Sequence, residues 1–192
     1  SVPAFPDSFI AGDVSILEYG NTIIGGGEQA GELILSTKDS RWKVFPSNNS
    51  FATQKMNGSR GLVAKNSFVN IDNIHYGLAA DGFWECDGSI PQLISGAVSS
   101  YFTDSINTSR YDLVTAAWDA QNDDIWLSIP RRSSTKNNIT LVYHRPTQSW
   151  WRQSGGVGAF CYIGDRDFSD TVSMIAGGTD SSTIYAIGGR TD

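Results

Sequence analysis

Little in this chain of 192 residues is suited to reactive chemistry. It holds two cysteines, Cys86 and Cys161, and two histidines, His75 and His144. Two thiols do not make a disulfide framework. Each lies in an alternating apolar stretch, so both are expected to be unbridged, buried and structural. Neither histidine has a second ligand at metal-binding spacing, so both are read as structural, with no metal and no cofactor expected. Charged residues make up only 18% of the chain, with a formal net charge of −6. That balance argues against a sequence-independent grip on nucleic-acid phosphates, which needs clustered Lys and Arg. Arg131-Arg132 sits in a polar loop and is read as solvated. No apolar run approaches bilayer-spanning length, so no membrane insertion is expected. Ser1-Val2-Pro3-Ala4-Phe5-Pro6 lacks a basic region followed by an apolar stretch, so no signal peptide is expected there.

Motifs for catalysis are equally scarce. There is no Gly-x-Ser-x-Gly elbow and no phosphate loop ending in Lys-Ser/Thr. Gly25-Gly26-Gly27 and Gly155-Gly156 lack a strand–loop–helix setting and read as turns. The acidic residues Asp39, Asp81, Asp123, Asp124 and Asp180 recur with turns. Each turn offers only one or two oxygens where a calcium loop needs several. Asp favours such positions because its carboxylate bonds the local backbone. Four Asn-x-Ser/Thr sequons, at Asn48, Asn57, Asn107 and Asn138, carry no argument in an Asn- and Ser-rich chain. No catalytic, cofactor-binding or metal-binding residue is assigned, and no enzymatic activity is expected.

What the chain does contain is a recurring hairpin. Glu32–Ser36 turns through Lys38-Asp39-Ser40 into Arg41–Phe45. Tyr76–Ala80 turns through Asp81-Gly82 into Phe83–Cys86, and Val114–Trp118 turns through Gln121-Asn122-Asp123 into Ile125–Ile129. The tryptophans Trp42, Trp84 and Trp126 follow the turns at intervals of 84 − 42 = 42 and 126 − 84 = 42 residues. A fourth copy, Ser173–Ala176 into Ile184–Ile187, carries Tyr185 after a longer gap. A hairpin returning at roughly 40–50 residues is the pattern of a propeller built from four-stranded blades. The fold class expected is therefore all-β, a β-propeller or propeller fragment.

Short apolar stretches rich in β-branched and aromatic residues, bounded by Gly, Asn, Asp or Ser, predict strands throughout. They include Val14–Leu17, Thr22–Ile24, Phe68–Ile71 and Gln92–Ile94. Pro91–Ile106 is ambiguous, because Ile94, Val98 and Phe102 also fall at helical spacing. One blade is legible almost entirely. Tyr111–Asp119 is its inner strand, Asp124–Ile129 the second, Asn138–His144 the third and Gln148–Arg152 the outer one. The recurrent tryptophans are expected to fill the gaps between blades. Residues 1–192 read as one propeller-like region. With a 42-residue period they hold between four and five units, so the chain is expected to be a segment of a longer polypeptide, or to have its edges completed by another chain.

Three family resemblances follow from these residues. Ser182–Gly189, with its double glycine, and Leu141–Trp150, with His144 where Asp is usual, resemble the kelch motif over about one and a half units. That implies a recognition module binding a protein partner through loops on one face. Ser36–Trp42 also resembles the Asp-box turn of sialidases, without the expected glycine and spacing, which implies a glycan-processing propeller as a further alternative. A broader resemblance covers about residues 30–190. Leu33–Ser36, Arg41–Val44, Gly77–Gly88 and Pro91–Ser95 are similar, in order, to the propeller region of tail nozzle proteins of short-tailed bacteriophages, also called tail tubular protein B. This implies a structural virion protein of the phage tail, with copies of itself in a ring around the DNA exit channel and neighbouring tail proteins as partners. DNA is expected to pass without specific binding, and an acidic chain is compatible with that.

Overall fold

Alternating apolar and polar positions place side chains on opposite faces of a strand, and this chain uses that pattern repeatedly. The computed structural model describes residues 22–47, 50–58, 60–163, 173–179 and 183–187. Val14–Leu17, the Asn48 sequon, Asp180 and the Gly188-Gly189 pair lie outside the described residues. Among the described residues, fifteen strands form four antiparallel sheets, and the protein is all-β.

The first sheet is β1 (Gly25–Gln29), β2 (Glu32–Ser36), β3 (Arg41–Ser47) and β4 (Ser50–Lys55). The second is β5 (Val69–Ile71), β6 (Ile74–Ala79), β7 (Gly82–Cys86) and β8 (Gln92–Leu93). The third is β9 (Thr115–Asp119), β10 (Asp124–Ile129), β11 (Ile139–His144) and β12 (Ser149–Ser154). The fourth has three strands, β13 (Val157–Ile163), β14 (Ser173–Gly178) and β15 (Ile184–Ile187). Every sheet is a meander whose spatial order follows the chain. Such connections need only short turns. The β5–β6 turn is Asp72-Asn73 with φ of 51° and 64°. This left-handed pair matches the twist of a two-residue hairpin, and Asp and Asn tolerate it.

The largest core lies between the second and third sheets. Tyr76, Leu78 and Phe83 meet Ile125, Leu127, Leu141 and Tyr143 there, all buried. In β10 the contributors are every second residue, Ile125, Leu127 and Ile129, as alternation requires. Trp150 seals one side of this core. Its ring lies 5.0 Å from Tyr143, 5.9 Å from Phe83 and 6.4 Å from Phe102, and its indole N–H donates to the Ile94 carbonyl at 2.9 Å.

Several local expectations need correction. Gly25-Gly26-Gly27 is not a turn but the greater part of β1. A Cβ on Gly27 would sit 2.8 Å from the Phe68 ring, so glycine lets that ring lie against the strand. Thr22–Ile24 forms no strand; pairing begins at Gly25. The expected inner strand Tyr111–Asp119 starts only at Thr115, because Thr108–Leu113 forms two short 3-10 turns that meet at a kink at Arg110, the first capped by the Asn107 side chain, which accepts from the Ser109 N–H. Pro91–Ile106 contains β8, a 3-10 turn at Gly96–Val98 and a π-helical turn at Tyr101–Ser105. Cys86 is buried but Cys161 is exposed, so only one of the two thiols fits the expected core role; neither is bridged by a disulfide.

Candidate functional site

The four sheets share one cavity of about 620 Å³. Gly25 and Gly26 of β1 line it, with Lys65, Asn66 and Phe68 just before β5, Thr115 and Ala116 of β9, and Gly158, Ala159 and Phe160 of β13. Every contributor lies in or beside the first strand of its sheet. The second and third sheets are tied at this point by a parallel bridge between Asn66 and Thr115, in which the Ala116 N–H donates to the Asn66 carbonyl at 2.7 Å. Backbone and small side chains dominate the lining, which suits a structural centre.

The seam between the first and second sheets is polar and buried. Arg41, 2% exposed, points from β3 toward the second sheet. It donates from Nη2 to Gln29 Oε1 and to His75 Nδ1, each at 3.0 Å, and from Nη1 to the Cys86 Sγ at 2.6 Å. Its guanidinium also lies 5.2 Å from the centre of the Trp84 ring. Because arginine is only a donor, His75 Nδ1 must accept, so Nε2 carries the proton and donates to the Glu28 carbonyl at 2.8 Å. The imidazole is thereby held neutral. Burial lowers the His75 pKa first, opposed by the bond to Glu28, and the Arg41 charge lowers it further. Gln29 completes the clasp, donating from Nε2 to the carbonyls of Asn73 and Cys86 at 2.8 Å. Sequence reading missed this network. No local pattern marked it, because Gln29 follows glycines that read as a turn and Arg41 adjoins the tryptophan expected to fill the gap between blades.

A second cluster caps the junction of the second and third sheets. Arg145 donates to Asp123 Oδ1 at 2.6 Å and to the Tyr76 hydroxyl at 3.1 Å, while Trp118 donates its indole N–H to the same Asp123 oxygen at 3.0 Å. His144 Nδ1 lies 2.8 Å from Asp124 Oδ1. Burial raises the Asp124 pKa, with His144 opposing it. A His–Asp pair needs a nucleophile to act in acyl transfer. The Ser149 hydroxyl, in register with His144, is instead engaged with Thr147 Oγ1 at 2.8 Å. The other acidic turn residues are dispersed: Asp81 pairs with Arg60 and Asp39 is exposed. Among the described residues no three His, Cys, Asp or Glu side chains converge to hold a metal ion.

The tryptophan repeat also divides. Trp42 and Trp84 are buried, with indole N–H groups bonded to Ser40 Oγ and to the Gly61 carbonyl, each at 2.9 Å. Trp84 fills the seam beneath Arg41. Trp42 neighbours Arg41 in β3 and so faces away from the second sheet. Trp126 faces the fourth sheet, opposite to its neighbours Ile125 and Leu127, and is only half-buried. Two residues join β6 to β7, whereas four join β9 to β10, and that difference changes the register of the third tryptophan.

The surface offers a further candidate in its outermost strands. Phe51 in β4, Leu93 in β8, Trp151 in β12, and Ile184 and Tyr185 in β15 are large, apolar and exposed, Phe51 by 59% and Ile184 by 70%. Each belongs to the last strand of its sheet among the described residues. No family model matches the chain, and no curated protein matches it.

Proposed function

We propose that this chain is a non-enzymatic structural protein of a bacteriophage tail, a propeller or part of one. Copies of it would assemble as a ring around the DNA exit channel. The observation that carries an assembly role is the apolar rim. Exposed apolar side chains on the last strand of every sheet suit burial against neighbouring subunits, where such groups supply most of the association energy. The propeller reading is supported by four successive meanders whose first strands border one cavity. The tail reading rests on the ordered resemblance of residues 30–190 to tail nozzle proteins. The net charge of −6 suits a protein that meets DNA in transit without retaining it.

Electron microscopy of the purified assembly tests the proposal. Class averages are expected to show a closed ring with an axial channel wide enough for duplex DNA, since an assembly with rotational symmetry must close on itself. A lone small disc at every concentration would overturn it and favour a monomeric recognition module.

A further inference from the structure

We propose that the cleft between the third and fourth sheets binds a neutral carbohydrate. The cleft has a volume of about 490 Å³, within the range of small-molecule sites. Trp126 forms part of one wall, together with Asp119, Thr140 and Gln153 of the third sheet, and Tyr185 of β15 faces them. No lysine or arginine is among the described lining residues. That makes the cleft a poor receptor for phosphate, carboxylate or sialic acid. Flat aromatic surface beside amide and hydroxyl groups suits a pyranose, which presents C–H faces to a ring and hydroxyls at its rim.

Trp126 is set differently from the bonded tryptophans. Its indole N–H is buried with no acceptor, whereas those of Trp42, Trp84, Trp118 and Trp150 are all bonded. The ring of Trp126, and not that enclosed nitrogen, is the surface it offers to the cleft. Trp126 is also in register, through the buried Val142, with the exposed Trp151, so the two tryptophans share one face of the third sheet. Asp119 is committed to its turn, accepting from the Gln121 N–H at 3.1 Å and from Asn122 Nδ2 at 2.7 Å. The side chains of Gln153 and Tyr185 are exposed and are the ones placed to meet ligand hydroxyls. Tyr185 also belongs to the apolar rim, so the inference applies to the cleft of a chain whose β15 is not covered by a neighbouring subunit.

Saturation-transfer NMR on the full chain decides it. The probes are maltotriose, cellotriose and the β-linked N-acetylglucosamine trimer, with sialyllactose as the anionic control. At least one neutral trisaccharide is expected to receive saturation and to shift one indole N–H resonance, assigned to Trp126 by its loss in Trp126→Phe. Tyr185→Ala and Gln153→Ala alter exposed side chains and leave the fold intact, and each is expected to weaken binding about tenfold. The proposal is overturned if none of the three sugars binds at about 10 mM. Binding unchanged in both variants, an unmoved Trp126 signal, or equal binding of sialyllactose would also overturn it.

Discussion

Trp84 and His75 lie on adjacent strands of the seam between the first and second sheets and respond to different variables. The Trp84 ring is fully enclosed and sits against Gly77, where a Cβ would come 2.5 Å from Leu62 Cδ2 and 2.7 Å from Trp84 Cζ2. Trp84→Ala leaves a cavity there and an orphaned Gly61 carbonyl, and is expected to cost about 3–5 kcal/mol. Denaturant unfolding checks this, and an unchanged midpoint would mean that the ring is not enclosed. His75 is sensitive to pH. Its folded pKa lies below the ordinary value of about 6.5, so below that value the unfolded chain binds more protons. The stability that neutral His75 contributes is therefore complete above about pH 6.5 and is lost as pH falls through the lower folded value. Stability measured at pH 7.5 and at pH 5 is expected to differ less in His75→Gln than in the native chain. An identical difference in both would remove His75 as the source.

At the scale of elements, the four meanders differ in how well each strand is held. β11 is paired on both sides, with Leu127 and Arg152 flanking Leu141, and five of its six residues are buried. β15 is an edge among the described residues, bonded only to β14, and three of its four residues are exposed. Backbone amides that are buried and paired on both sides open only with large parts of the fold, whereas edge amides open locally. Hydrogen exchange is expected to be slower in β11 than in β15 by a factor on the order of a hundred or more. Comparable protection would show that the fourth sheet is as firmly held as the third. Turn chemistry matters at the same scale. Asp72-Asn73 carries the left-handed pair of the β5–β6 hairpin, and Asn73 also receives Gln29 and the Ala30 N–H. One turn thus shapes its own hairpin and fastens the neighbouring sheet.

For the molecule as a whole, two of the seams between sheets are unlike in kind. The second and third sheets share an apolar core, and the first and second share the Arg41 network. Buried ionic and polar contacts add little net stability but restrict which partner fits, since any other pairing strands a charge or a donor. The apolar rim is the molecule's outward counterpart. Phe51→Asp combined with Trp151→Asp changes partly exposed rim side chains and is expected to cost about 0.5–3 kcal/mol of folding stability each while the chain stays folded. The same pair is expected to convert the proposed ring to single chains in sedimentation. Retention of the ring would place its contacts elsewhere on the surface.

The sequence by itself determined the all-β class and most of the hairpins, because alternation and turn residues are local properties that the chain carries into any environment. Glu32–Ser36, Ile74–Ala79 and Ile139–His144 were legible for that reason. The glycine strand Gly25–Gln29 was not, because its strand character comes from Phe68 packing against it and from pairing with β2. The even 42-residue spacing of the tryptophans likewise concealed that Trp126 faces the opposite way. A one-residue change in register turns a side chain through the sheet, and hairpin loops of different length set that register. Only the tertiary structure decided which faces meet. It brought Arg41 to His75 and Cys86 across 34 and 45 residues of chain, and it left Trp126 beside an open cleft. Those outcomes depend on distant segments sharing one dielectric and one packing problem, and no local pattern encodes them.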